Sequence, residues 1–317
     1  MSTKSKRVCI TGAAGNLGGL SAHYVLENTD YELNLMTHKN SLHRELEQSH
    51  RVREFQCDLG KKETLGEILE GVDEIIHYAG VLFQANPEQF LPQTNLGFFK
   101  NLLEVAQKSG VNKIILISFP HVEGYTSPQS PSTDRLDRTP VSVHASTRLE
   151  EERLLLSMFP DSVVLRVGMV YGRGILMPDA ARWLAKRRLL WVWRQPTHIH
   201  LISKDDFLEA LKMATKNSGV CGIYNIGDDG VQTLQEFLDF ASEQWHCSRP
   251  FRMPLWIFYF AASMCELVSR IFRTKSPLTS DFIDIGRVSY YGDTQRMKED
   301  LIKDLKYPTM RHGAELF

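Results

Sequence analysis

The sequence predicts an α/β chain built on a doubly wound parallel sheet, with a smaller, mainly helical C-terminal lobe. Three observations carry this. Residues 7–18, RVCITGAAGNLG, form a short apolar run that breaks into glycines at the spacing GxxGxxG and resumes as a helical pattern through Leu17, Leu20, Tyr24 and Val25. Apolar runs of strand length then alternate with amphipathic helical stretches as far as residue 167, the pattern of a sheet covered by helices on both faces. After residue 174 the composition shifts to short elements rich in Trp and Arg.

The glycine stretch is the most specific element. Gly12 falls where the chain leaves the strand in a conformation that a side chain opposes, Gly15 where a pyrophosphate would approach the main chain, and Gly18 where the new helix packs on the sheet. The free N–H groups at the helix start, helped by the helix dipole, offer an anion site without a basic side chain. An ordinary glycine-rich turn is the bland alternative. The strand before it and the apolar helix after it favour a dinucleotide held by Gly12, Gly15, Asn16, Leu17 and Gly18.

Residues 31–37 read as the second strand, followed at once by His38 and Lys39. An acidic residue there would bond the adenosine ribose of NAD, whereas a basic one accommodates the extra phosphate of NADP. No Asp or Glu lies between Leu33 and Lys39, which tilts the reading of an NAD(P) site towards NADP; a solvated His-Lys pair is the alternative. The third strand, 51–56, leads into Cys57, Asp58 and Leu59, where Asp58 can reach an adenine amino group. Residues 61–72 form a short amphipathic helix, and 73–78 a fourth strand ending in Tyr78, Ala79 and Gly80, whose small residues leave room for phosphates and ribose. A helical pattern over 87–109 carries Asn95; 113–118 is a buried strand, 134–139 a charged loop, 143–158 a helix and 161–167 the sixth strand. The sheet regains a strand at 222–226. The expected division is a dinucleotide-binding domain over 1–174, with return elements near 201–227, and a substrate lobe from 175–200 and 228–317.

A net charge of -1 over 317 residues gives no reason to expect nucleic acid as a partner. Five scattered cysteines, Cys9, Cys57, Cys221, Cys247 and Cys265, have no metal-ligand spacing and read as free thiols. The start, MSTKSKRV, lacks the apolar core of a secretion signal, so a cytoplasmic location is expected. Residues 254–272 are the most apolar stretch, interrupted by Glu266 and Arg270 before the roughly 20 residues a spanning helix needs. We expect no membrane crossing there. A buried helix or a homodimer contact is favoured over a membrane-surface helix, because the polar face lacks Lys/Arg enrichment.

In order, TGAAGNLG, CDL, IIHYAG, the Asn95 helix, KIILIS, LRVGMVYGRG, ISKDDF and GIYNIG resemble the extended short-chain dehydrogenase/reductase family, the NAD(P)-dependent epimerase/dehydratase group. The resemblance covers nearly the whole chain. It implies a Rossmann half binding the dinucleotide, with Val167, Gly168 and Met169 among the cofactor-lining residues, a small-molecule substrate in the C-terminal lobe, and hydride transfer at the nicotinamide. It also implies a Ser or Thr after the fifth strand and a YxxxK pair on the next helix, where Tyr exchanges the proton and Lys bonds the ribose. Here that helix reads HASTRLEEE, so His144 and Arg148 stand in those places. ISFPHVEG puts Phe119 where the hydroxyl is expected, with Ser118 one residue earlier.

Two readings compete. In the first, Arg148 bonds the ribose and neutral His144 is the acid/base, with Ser118 as a further catalytic candidate. The neighbouring guanidinium then works against imidazolium. The chain would be an oxidoreductase or epimerase acting on a carbonyl or alcohol of a small, hydrophobic substrate. In the second, it binds cofactor without turnover, as a sensor or scaffold. A nucleotide-sugar epimerase or dehydratase is a further alternative, in which Arg182, Lys186, Arg187 and Arg188 hold a substrate phosphate; a solvated helix face explains them as well. His121 reads as an incidental loop residue. His198 and His200, like Trp191 and Trp193, project to one side of a strand and suit packing better than a metal.

Overall fold

The computed structural model describes residues 5–80, 87–272, 274, 276 and 278–317. β1 (Arg7–Thr11) leads through the glycine turn into α1 (Asn16–Asn28), followed by β2 (Glu32–Thr37), the single turn α2 (Arg44–Glu47) and β3 (Val52–Gln56). The helix expected over 61–72 is split into a 3-10 turn, Lys62–Thr64, and α3 (Leu65–Leu69) before β4 (Glu74–His77). α4 (Pro87–Leu91) and α5 (Phe98–Lys108) are joined by a π-helical stretch, Pro92–Gly97, which carries Asn95. Pro92 has no N–H to give to the helical ladder, a local cause for the widened turn.

β5 (Lys113–Ser118), α6 (Val143–Met158) and β6 (Val163–Val167) complete the first half. Beyond them come β7 (Met169–Tyr171), α7 (Leu176–Lys186), β8 (Trp191–Trp193), β9 (His198–Ile199), β10 (Leu201–Ser203), α8 (Lys204–Lys216) and β11 (Gly222–Ile226). β12 (Gln232–Thr233), α9 (Leu234–Gln244), β13 (Phe251–Met253), α10 (Leu255–Phe272), α11 (Ser280–Gly286) and α12 (Gln295–Asp300) make the mainly helical remainder.

The central sheet has seven parallel strands in the order β11-β6-β5-β4-β1-β2-β3. The order reverses between β1 and β4, which opens a ligand crevice at their C-terminal ends. One face is covered by α1 and α8, with Val25, Leu26, Phe207 and Leu211 against Ile10, Leu33 and Leu35. The other is covered by α3, α5 and α6, with Leu69, Phe99, Leu103 and Leu155 against Cys9, Ile75 and Leu116. Strands buried on both faces must be apolar throughout, which is why they read as continuous runs. A third core, around Trp193, Phe237, Trp245 and Phe317, belongs to the later elements.

Two sequence expectations change here. α10 is not a buried helix: among its residues only Ala262 and Ser269 are buried, while Trp256 and Phe272 are 67% and 70% exposed. It is also long and apolar enough to cross a membrane by length and composition, despite Glu266 and Arg270. His198 and His200 do not share a strand, since His200 lies between β9 and β10. Its buried ring accepts from Gly292 N at Nδ1 (3.0 Å), donates from Nε2 to Asp228 O (2.7 Å) and stacks on Tyr291. It is a packing histidine. No metal-ligating cluster occurs among the described residues.

Candidate active site

The glycine turn is a backbone construction. Gly12 has φ +70°, a left-handed conformation that favours glycine. A Cβ on Gly18 would lie 2.3 Å from Gly12 O, so its absence lets the start of α1 lie tightly against the turn that follows β1. A Cβ on Gly15 would lie 3.0 Å from the same oxygen. Gly15, the N-cap of α1, supplies no side chain, and the first turn holds no acidic residue. The leading N–H groups thus keep their donor capacity, and the cradle fits a pyrophosphate. Asn16 is engaged elsewhere: its Nδ2 donates to Gly174 O (2.6 Å), and its Oδ1 accepts from Leu176 N (2.9 Å), tying the turn to the segment before α7. Leu17 is half-buried.

At the end of β2, His38 and Lys39 are both exposed. Asp58 Oδ1 accepts from Gly60 N (2.9 Å), and Leu59 O accepts from Asn101 Nδ2 (3.0 Å). Thr11 Oγ1 accepts from Tyr78 N and Ala79 N, both at 3.2 Å, and bonds His77 Nδ1 at 2.9 Å, which joins the ends of β1 and β4. The Tyr78 hydroxyl bonds Ser21 on α1. Gly80 is closely approached: a Cβ there would meet Arg148 Nη2 at 2.9 Å and Asn95 Oδ1 at 4.0 Å. Three expected site residues, from the segment after β4, the π-helical stretch and α6, therefore converge.

α6 presents His144, Arg148, Glu151 and Glu152 inward, all buried. Its N-terminus is held twice: Ser142 Oγ accepts from Ala145 N (3.1 Å), and Asp281 Oδ1, from α11, accepts from Val143 N (3.0 Å). Arg148 Nη1 pairs with Glu151 Oε2 at 2.5 Å. Burial pushes the Glu151 carboxyl up to about 7, against the pull of Arg148. His77 is held well below its ordinary value, by burial first and then by Arg148.

The His144 ring stacks on Phe119, with centroids 5.1 Å apart and planes 22° apart. Phe119 also touches His121 (5.2 Å), which packs on Tyr290 (4.2 Å). Burial, then Arg148 and His121, lowers His144 to about 3; burial lowers His121 to about 3 as well. Both imidazoles are therefore neutral near pH 7. Nδ1 of His144 is buried with no hydrogen-bond partner among the described residues.

Ser118 is not brought to His144. Its hydroxyl donates to Glu152, whose other oxygen pairs with Arg166 Nη2 at 2.7 Å, and Arg166 pairs in turn with Glu123. Successive extended residues point to opposite sides, so Phe119 takes the side facing His144. Gly168 is accounted for by the protein: its N donates to Ile226 O (2.8 Å), and a Cβ would lie 2.5 Å from His200 O. Val167 is buried, and Met169 N donates to His200 O (2.8 Å). Arg187 lies over the Trp183 ring with Lys186 and Arg188 exposed beside it, a solvated helix end.

Sequence reasoning missed the carboxylates. Glu151 and Glu152 stand three and four residues after Arg148, a helical spacing visible in RLEEE. Arg166, Asp281 and Tyr290 carried no local signal, because they arrive from other strands and from the C-terminal third.

Residues 8–227 match the model of the NAD dependent epimerase/dehydratase family. The uronate dehydrogenase of Pseudomonas syringae pv. tomato is 27% identical over 72% of this chain and 76% of its own length. The human sterol-4-alpha-carboxylate 3-dehydrogenase, decarboxylating, is 25% identical over 48% of this chain and 40% of its own. The dTDP-glucose 4,6-dehydratase of Bacillus anthracis, solved with NAD, has a TM-score of 0.78 at 16% identity, covering 98% of this chain and 95% of that one. At that identity the likeness shows the fold alone. The family match runs from β1 through α6 to β11 and so takes in the whole sheet: the chain belongs to the NAD dependent epimerase/dehydratase family.

Proposed function

We propose that the chain binds NAD(P) across the β1/β4 crevice and acts as an oxidoreductase on a hydroxyl or carbonyl group of a small molecule. The observation that carries this reading is the convergence of Arg148 with Gly80 and Asn95, one helical turn from His144. The bound dinucleotide would give hydride to a carbonyl or take it from an alcohol. Gly12 and Gly15 shape the turn that takes its pyrophosphate, Gly18 lets α1 start against that turn, Asp58 and Leu59 lie towards its adenine, and Arg148 orients the nicotinamide ribose. Neutral His144 serves as a hydrogen-bond donor to the substrate oxygen; a neutral imidazole can polarise a carbonyl. Exposed His38 and Lys39 support NADP over NAD. The five unpaired cysteines support a reducing, cytoplasmic setting. The elements outside 1–174 and 201–227 form the substrate lobe.

The hydrophobic substrate expected from residues 254–272 has lost the observation behind it, since that segment's large side chains are mainly exposed. Uronates, named by the relatives, are the first substrates to try. A second reading, a dinucleotide binder without turnover, is favoured by the Phe119 ring stacked on His144. Calorimetry with NAD and NADP, followed by turnover assays on uronates and other alcohols, separates the two. Turnover that survives or rises in Phe119→Ala supports the enzyme; tight binding with no turnover in either protein establishes the silent binder.

A further inference from the structure

Trp256, Phe260, Met264, Leu267, Val268 and Ile271 all lie on one stripe of α10, and all are exposed, Phe260 by 63% and Ile271 by 65%. At 100° per residue these positions span about 120° of the helix surface, and Ala262 and Ser269 fall on the opposite side. The amphipathicity is thus inverted, with the apolar side outward. The inward side is fastened along its length. Phe258 meets the Trp193 ring edge-on, the Tyr259 hydroxyl donates to Asp284 (2.6 Å), and Glu266 accepts from Ser280 N (2.8 Å). A helix held at three levels by its own protein offers its flank, not its ends, to a partner.

The adjoining elements extend the patch. β13 runs directly into α10, and its first residue, Phe251, pairs in register with Trp191 of β8; both side chains are exposed, as is Leu189 before them. The charge there is lopsided. Residues 182–194 and 249–272 together hold eight basic residues against one acidic, Glu266, in a chain of net charge -1. Arg249 and Arg252 are paired with Glu243 and Asp239, but Lys186, Arg187 and Arg188 stand exposed beside Leu189. Aromatic and aliphatic side chains rimmed by Lys and Arg match a bilayer interface, where Trp sits at headgroup level and basic residues meet anionic lipid. An isologous dimer would set this basic rim against its own copy.

We propose that α10 lies flat in the surface of an anionic membrane, its outward stripe among the acyl chains and the 186–188 basic turn on the headgroups. The test is co-sedimentation of the full chain with phosphatidylcholine vesicles, with and without phosphatidylserine, at low and high salt. Binding is expected only with phosphatidylserine and should weaken with salt. Trp256→Glu with Phe260→Glu should abolish it at unchanged thermal unfolding. Lys186→Gln, Arg187→Gln and Arg188→Gln should each lower partitioning about fivefold. Absence of wild-type binding overturns the proposal. So does binding that ignores phosphatidylserine, or a concentration-dependent dimer that the Glu pair dissolves while vesicle binding persists.

Discussion

The glycine turn and the α6 site lie at the same end of one sheet, yet they are built from different materials. The turn is backbone: a positive φ at Gly12, a missing side chain at Gly18 and an uncapped helix start. The α6 site is side chains gathered from β5, α6 and the C-terminal third, with rings stacked on one another and charges buried in pairs. A backbone site can accept a ligand with little rearrangement. A side-chain site already satisfied by its neighbours must give up contacts before anything else can enter it, so the two halves should answer mutation and pH differently.

The largest effect should come from the turn. Gly18→Val places atoms 2.3 Å from Gly12 O, and only a backbone shift can relieve that. Dinucleotide binding by calorimetry should vanish. Retained affinity would show that the turn is not the phosphate site. In the α6 site, His144→Ala removes a hydrogen-bond donor to the substrate oxygen and should lower turnover on any accepted substrate about 10²- to 10³-fold while leaving dinucleotide affinity nearly intact; wild-type turnover removes His144 from the chemistry.

Glu152→Ala should be the costliest change to stability alone. It removes one of the two carboxylates on buried Arg166, leaving Glu123 to hold that charge, and takes the acceptor from the Ser118 hydroxyl; breaking a buried pair costs about 3–5 kcal/mol, and the remaining carboxylate puts this loss at the lower end, about 3 kcal/mol. Urea unfolding measures this, and a loss below about 1 kcal/mol would mean that water replaces the carboxylate.

The buried histidines and Glu151 answer pH in opposite senses. His144 and His121, lowered to about 3, contribute stability that is fully present above the unfolded value of 6.5 and lost as pH falls towards 3. Glu151, raised to about 7, contributes in the opposite sense: its stability is present below 4.5 and lost as pH rises through 7. His144→Phe should therefore shrink the fall in urea midpoint between pH 7 and pH 4. An unchanged fall would show that His144 is accessible to protons in the native state. The smallest effect belongs to the rim of the turn. His38→Ala with Lys39→Ala should move the NADP-to-NAD affinity ratio about tenfold towards NAD, the worth of one charged hydrogen bond; an unchanged ratio ends the NADP preference.

The sequence alone determined what depends on near neighbours in the chain. The strand, turn and helix at 7–18, the buried strand at 113–118, the sixth strand expected over 161–167 and found at 163–167, and the return at 222–226 were legible, because glycine spacing and apolar runs are local consequences of backbone sterics and two-sided burial. The pair His144 and Arg148 was legible too, as two positions one helical turn apart. What those two residues touch was not. Phe119 over His144, Tyr290 behind His121 and Asp281 on the α6 N-terminus depend on chain paths crossing from far away in sequence. The same holds for α10. Its composition is equally apolar whether buried or exposed, and only packing against Trp193, Asp284 and Ser280 decided which side would face inward, since a helix buries whichever flank its neighbours can satisfy.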